Sequence, residues 1–140
     1  MTKNSDITIF NKWYDKSERT ERFFGTKITG VSLYSRKGTA TGDKGLTEGD
    51  SYTIRIPADA DSSGKTYVDP MKYASLSAEE VAGYWTLQSG AIIVRGLSDL
   101  EEVTETELQK AYPDVIFVKN YTDNRDRCSE YMRHWRVGGQ

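Results

Sequence analysis

The sequence predicts a mainly β fold, a small β-barrel or β-sandwich of about six or seven strands with two short helices. Three observations indicate this. Short runs of alternating apolar and polar residues recur and are rich in β-branched and aromatic side chains. Glycines and prolines interrupt these runs. One concentrated apolar run, Ala91 to Val94, lies between Gly90 and Gly96 and is typical of a strand buried on both faces.

Length and composition are those of one domain. The 140 residues are enough for a single core, so we expect one β-rich domain over residues 1–140 with frayed termini. A hydrophobic fraction of 36% with 11% aromatic residues argues against disorder throughout. No apolar stretch has the length of a signal peptide or a membrane span, so we expect no membrane partner. Cys128, the only cysteine, cannot form an intrachain disulfide, which fits a reducing cytoplasm.

The first part of the chain predicts three strands. Residues 6–10 alternate as a strand, whereas the charged residues 11–22 are interpreted as a loop. Residues 23–34 form a longer strand in which the apolar positions change parity at Gly30, and this predicts a bulge or sharp bend. Residues 52–56 alternate cleanly up to Pro57.

The second part predicts two short helices and the remaining strands. A capping box begins each helix, Ser77 with Glu80 and Thr104 with Glu107. Three strands are expected around them, at residues 66–68, 115–118 and 130–137, and residues 138–140 are interpreted as a tail. The predicted core anchors are Ile54, Ile92, Val94, Phe117 and Trp135.

Residues 36–50 are predicted to form a flexible loop, because they include four glycines and one large apolar residue, Leu46. Such a segment adds little to a monomer's core, so we interpret it as a surface that works in assembly. The residues assigned to this assembly loop are Arg36, Lys37, Gly38, Gly42, Lys44, Gly45 and Gly49.

Motifs for catalysis or metal binding are incomplete. His134 is the only histidine and Cys128 the only thiol, so together they cannot build a closed metal site. Gly64-Lys65-Thr66 resembles the end of a phosphate loop, but Asp59 stands where that motif needs a glycine. We therefore predict no catalytic residues, no cofactor and no bound metal, and we expect the protein not to be an enzyme.

The segment from Asp59 to Gly64 also copies the first half of a calcium loop. The position of the closing carboxylate holds Pro70, however. The segment instead predicts a polar turn with Gly64 at positive φ.

Charge is distributed unevenly although the net charge is only −2, which argues against a general nucleic-acid binder. Residues 1–37 carry eight Lys and Arg against four acids, residues 97–118 carry one Lys against six acids, and residues 119–140 carry five basic residues against three acids. Solvated faces explain this, and so do complementary surfaces for self-assembly or docking.

Basic and aromatic residues are mixed near the C-terminus. They either contact nucleic acid or divide between core and solvent, with the aromatics inside. These residues are Tyr121, Arg125, Arg127, Tyr131, Arg133, Trp135 and Arg136.

Several fragments together resemble small structural proteins from the head–tail gene modules of tailed phages and prophages of Gram-positive bacteria. The ending is the most distinctive fragment. In chain order the fragments are Asp6–Lys12, Thr26–Val31, Gly64–Tyr67, Gly90–Gly96 and His134–Gly139.

The resemblance implies a virion part of the minor capsid type, a head-completion or head–tail connector protein that forms a ring of small β-barrels. Its partners would be portal, adaptor or tail proteins and further copies of itself, and DNA would only pass through the channel. It would reside in the bacterial host cytoplasm before assembly and then in the virion. The alternative is a small cytoplasmic β-barrel that binds single-stranded nucleic acid or a peptide.

Overall fold

The computed structural model describes residues 3–36, 51–112, 115–123, 125 and 133–140. The fold in these residues is mainly β with two α-helices, as the sequence predicts. The strands are β1 (Ser5–Asp15), β2 (Thr20–Arg36), β3 (Ser51–Pro57), β4 (Thr66–Tyr67), β5 (Tyr84–Trp85), β6 (Ile92–Arg95), β7 (Glu102–Val103), β8 (Ile116–Asp123) and β9 (His134–Gly139). The helices are α1 (Pro70–Ser75) and α2 (Glu105–Ala111), and a 3-10 turn spans Val81–Gly83.

Six strands close into an antiparallel barrel in the order β1-β6-β8-β9-β3-β2, because β2 also pairs with β1. The first part of β2 pairs with β1, and residues 32–36 pair with β3. Gly30 allows this change, since its φ of +79° suits glycine and the register with β1 shifts between Ile28 and Val31. The predicted bend at Gly30 is confirmed. β7 extends the sheet at the edge of β2, and β4 and β5 form a separate parallel pair.

Alternate side chains of the strands fill the barrel interior. Residues 84–87 are fastened to the wall by Asn11, whose Nδ2 donates to the Thr86 carbonyl at 2.6 Å and whose Oδ1 accepts from Thr86 N at 3.1 Å. The buried residues of the interior cluster are Ile7, Ile9, Ile28, Val31, Ile54, Ile56, Trp85, Leu87, Ala91, Ile93, Ile116, Val118, Trp135 and Val137.

Two smaller apolar clusters lie outside the barrel. Leu108 of α2 belongs to a cluster with Phe10 of β1 and with Ile92 and Val94 of β6. Ile93 belongs to the interior cluster, so β6 is buried on both faces as its sequence predicts. The third cluster joins α1 to the ends of β1 and β2 and contains Trp13, Phe24, Val68, Tyr73, Leu76 and Val81.

The prediction of a loop at residues 11–22 is wrong. β1 continues to Asp15 and β2 begins at Thr20, so only a short turn separates them. Trp13 is buried under α1, and its Nε1 donates to the Leu76 carbonyl at 3.2 Å. The Asp15 carboxylate accepts from Ser17 N at 3.0 Å and tightens the turn. The hairpin is hard to recognise in the sequence because its many charged residues, most of which point to solvent, obscure the alternation typical of strands.

The helix predicted after Ser77 is a 3-10 turn and not an α-helix, whereas the helix predicted after Thr104 is confirmed. Ser77 and Glu80 do form the capping-box contacts, but only the 3-10 turn follows because Gly83 interrupts it. Thr104 caps α2 by accepting from Glu107 N at 3.3 Å. The sequence analysis missed α1, which Asp69 caps.

The interpretation of residues 138–140 as a tail is wrong as well. β9 runs to Gly139 and pairs with β3 on one side and β8 on the other. A Cβ on Gly139 would stand 2.7 Å from the Phe117 carbonyl oxygen, so the strands approach closely here. Of the strand predicted at 130–137, residues 134–137 belong to β9, and residues 130–132 lie outside the described ones.

Trp135 should be essential to stability because its indole is 4% exposed and packs within the barrel. Trp135→Ala should lower the free energy of unfolding by about 3–5 kcal/mol, as truncation of a buried aromatic side chain usually does. Met71→Ala is the control, since Met71 is 86% exposed. Urea unfolding measures both, and equal stabilities for the two variants would contradict this packing.

Tyr73 should make the fold sensitive to alkali. Burial raises the pKa of its hydroxyl above the usual value, and that hydroxyl has no hydrogen-bond partner among the described residues. The unfolded chain loses this proton at about pH 10 while the folded chain keeps it, so stability falls as pH rises from there. Tyr73→Phe should weaken this loss and cost little at neutral pH. Urea unfolding at several pH values is the measurement, and an unchanged alkaline slope in Tyr73→Phe would contradict the role of the hydroxyl.

Candidate assembly surface

The outer side of β2, β3, β9 and β8 presents a polar, basic sheet surface, which we call the basic face. Ile54 and Val137 point into the barrel, so the residues that alternate with them point outward. Two rows of partners cross the four strands. The first is Ser32, Arg55, Arg136 and Thr122, of which Ser32 is buried, and the second is Tyr34, Thr53, Gly138 and Asn120.

Two arginines stand side by side on this face. Arg55 of β3 and Arg136 of β9 are direct cross-strand partners. Neither forms a hydrogen bond or an ion pair with any described residue. Like charges at opposed positions destabilise a sheet, so this pair does not serve the stability of the monomer. Lys119, at the bulge of β8, adds a third positive charge nearby.

The single acid of β3, β8 and β9 is already paired. Asp123 Oδ2 accepts from Arg125 Nη2 at 2.7 Å, and these hydrogen bonds lower the pKa of the Asp123 carboxyl. Its charge is therefore compensated locally. No second acid lies in β3, β8 or β9 beside Arg55 and Arg136.

A shallow groove of about 260 Å³ runs along this face. Gly138 keeps its floor low, since a Cβ there would stand 2.5 Å from Asn120 Oδ1. The groove ends where β2 stops at Arg36 and β3 starts at Ser51, which are paired residues. Its lining residues are Ser51, Tyr52, Thr53, Lys119, Asn120, Arg136, Gly138, Gly139 and Gln140.

The predicted assembly loop begins at this rim of the basic face. Arg36 is the last residue of β2, and its backbone pairs with Ser51. The other residues assigned to the loop, from Lys37 to Gly49, lie outside the described part of the chain. Of the predicted core anchors, Ile54, Ile92, Val94 and Trp135 are buried, and Phe117 is half-buried against the cluster under α2.

The mixed basic and aromatic residues near the C-terminus are separated by β9. Trp135 points into the barrel, where its ring lies 4.7 Å from that of Tyr67 and 5.2 Å from that of Trp85. Arg125 stacks on this cluster, with its guanidinium carbon 4.7 Å from the centre of the Trp135 ring. Arg136, in contrast, is exposed on the basic face. Arg127 and Tyr131 lie outside the described residues.

Gly64 has a φ of +80°, which confirms the predicted turn, and Asp61 Oδ1 accepts from Ser63 N there. His134 is buried as the first residue of β9. Within the described residues, no three His, Cys, Asp or Glu side chains are grouped to hold a metal ion. Cys128 is outside these residues.

The chain belongs to a family of unknown function, DUF6751, whose model matches residues 1–140. No curated protein and no solved structure matches the chain significantly. Among the helices of the described ranges, none has the length and apolar character needed to cross a membrane.

Sequence reasoning missed the basic face, although its signal was present. Arg55 stands between Ile54 and Ile56, and this alternation places its side chain outside. The pairing of Arg55 with Arg136, some 80 residues later, needs the barrel topology.

The two glycines of β9 should differ in their tolerance of a methyl group. Gly139→Ala should destabilise by about 1–3 kcal/mol because its Cβ meets the Phe117 backbone. Gly138→Ala should cost less than about 1 kcal/mol, since the exposed Asn120 side chain can turn away. Urea unfolding of both variants is the test. Equal costs would mean that the close approach of β8 and β9 is not as described.

Proposed function

We propose that this protein is a non-enzymatic structural component of a phage or prophage particle, a head-completion or head–tail connector subunit that assembles as a ring. One structural observation supports the proposal in addition to the sequence resemblance. Arg55, which is half-buried, and Arg136, which is exposed, are cross-strand neighbours without a hydrogen-bond or ion-pair partner among the described residues, and this placement of like charges costs the monomer stability. Surface charges of this kind steer and orient a protein partner.

The barrel supports this role as a scaffold. Its interior is filled by buried apolar side chains, and such close-packed interiors are rigid. The basic face and the base of the 36–50 loop lie on the same rigid strands, β2 and β3. The face therefore has a fixed position relative to Arg36 and Ser51, the strand ends between which the predicted assembly loop begins and ends.

A second candidate is a barrel that binds single-stranded nucleic acid on the same face. Arg55, Arg136, Lys119 and Asn120 favour it, because a basic groove can follow a phosphate backbone. Stacking of bases needs outward aromatic rings, however. Tyr34 is the one aromatic residue in the two rows that cross the face, and we therefore prefer a protein partner.

Particle formation is the direct test of the proposed function. In the phage or prophage that encodes this chain, portal and major capsid genes should lie upstream and tail-tube genes downstream. The protein should be found in purified particles, and Arg55→Glu with Arg136→Glu should reduce infectious particles at least about tenfold. Two glutamates at positions 55 and 136 repel each other as the two arginines do, so the melting temperature of the double variant should stay near that of the wild type.

A charge-matched control is Lys16→Glu with Lys72→Glu, which alters exposed residues of the β1–β2 turn and α1. This control variant should support the formation of infectious particles as the wild type does. A gene without structural phage genes around it, or particles that lack the protein, would overturn the proposal.

A further inference from the structure

The strand order puts the basic face opposite the side that carries α2. In the closed barrel, β8 separates β6 from β9, and β2 separates β3 from β1. The pair β1–β6 therefore lies across the barrel from the pair β3–β9. α2 covers the outside of β1 and β6, since Leu108 packs with Phe10, Ile92 and Val94.

The covering segment 96–112, which we call the acidic shell, has the opposite charge. It contains five acids, Asp99, Glu101, Glu102, Glu105 and Glu107, and one base, Lys110. Two of the acids have basic partners, because Lys27 Nζ lies 2.6 Å from Asp99 Oδ1 and Arg22 Nη1 lies 2.7 Å from Glu102 Oε1. Glu105 and Glu107 are exposed and form no ion pair with a described residue.

Each of the two sides also exposes an apolar side chain. Leu97, in the acidic shell, is 53% exposed, and Tyr34, on the basic face, is 48% exposed. The shell lies against the barrel wall because Thr8 Oγ1 donates to the Gly96 carbonyl at 2.9 Å and accepts from Ser98 N at 2.8 Å. Both surfaces are thus held on the barrel and combine charge with an apolar anchor, as protein interfaces do.

We propose that the partner of the basic face is the acidic shell of a second copy of this chain. The inference rests on the proposed function in that it names the partner of the same face. Arg55 and Arg136 would meet Glu105 and Glu107 of the neighbour. Such a contact joins different surfaces of one subunit, so each subunit can bind two neighbours. The assembly is a ring if the rotation between neighbours closes and an open filament if it does not.

The charge distribution favours a second copy over nucleic acid. The chain as a whole carries a net charge of −2, and the acidic shell repels phosphate. The basic face carries Arg55, Arg136 and Lys119, whereas the acidic shell across the barrel carries five acids and one base, so the two surfaces are opposite in charge. A contact based on such exposed charges is weak and sensitive to salt, because the Debye length is only about 10 Å at 0.1 M ionic strength.

Two half-neutralised variants test this head-to-tail contact. The first is Arg55→Gln with Arg136→Gln, which keeps the acidic shell. The second is Glu105→Gln with Glu107→Gln, which keeps the basic face, and glutamine at 107 preserves the cap of α2. Sedimentation velocity of the wild type at low salt should show concentration-dependent association that high salt removes. Each variant alone should associate at least about tenfold more weakly.

Mixing the two variants is the decisive measurement. The first variant keeps only the acidic shell and the second keeps only the basic face. The mixture should therefore form one-to-one pairs, which have no intact surface left to bind a third subunit. The control Lys16→Gln with Lys72→Gln should associate like the wild type. Wild-type protein that stays monomeric at every concentration and at low salt would overturn the inference, as would variants that associate unchanged or a mixture that forms no pairs.

Oligonucleotide binding and particle content separate the remaining outcomes. Salt-sensitive binding of a single-stranded oligonucleotide that the Arg55→Gln and Arg136→Gln variant loses, without self-association, would overturn the inference in favour of nucleic acid. If copies associate as described but particles lack the protein, the head-to-tail contact stands and the proposed function falls. If particles contain the protein but the variants do not affect self-association, the contact falls and the proposed function stands.

Discussion

The structure depends on the bend of β2 at Gly30. Because this strand changes partner there, one continuous segment pairs with β1 at its start and with β3 at its end, which closes the sheet. Closure leaves no free edges along the six strands and encloses the apolar residues that alternate along them. The two outer clusters then bury what the interior cannot hold, Phe10, Ile92 and Val94 on one side and Trp13 and Tyr73 on the other.

The same alternation produces the distribution of charge. Every strand that contributes Ile or Val to the interior must present its neighbours outward, so Arg55 and Arg136 meet as a consequence of the packing of Ile54 and Val137. On the β1–β6 side, Phe10, Ile92 and Val94 point outward and are covered by α2, and the covering segment adds five acids to that side. One side of the barrel is covered by an acidic segment, and the opposite side is bare and basic. The molecule therefore carries opposite charges on its two sides without any special arrangement of salt bridges.

Sequence patterns predicted the fold class, the bend at Gly30, the buried run of β6 and the cap of α2, because each of these follows from local periodicity or local hydrogen bonding. The errors fall where tertiary contacts decide. The hairpin at Asp15 carries many charges, and only the packing of Trp13 under α1 shows that it is a strand. Gly138 and Gly139 look like a flexible tail, yet the close approach of β8 needs residues without side chains. The basic face was missed because its two arginines are neighbours only across strands.

The position of β9 has a consequence for how the chain is made. This strand is the last of the six in sequence, yet it lies between β3 and β8 in the barrel wall. During synthesis, β1, β2 and β3 are available long before residues 134–139, so the free edge of β3 waits unpaired while the rest of the chain is translated. Until β9 is synthesised, the nascent chain is an open sheet with an unpaired edge strand that can pair with other chains. In a cell, this is the interval in which binding by chaperones would protect the chain most.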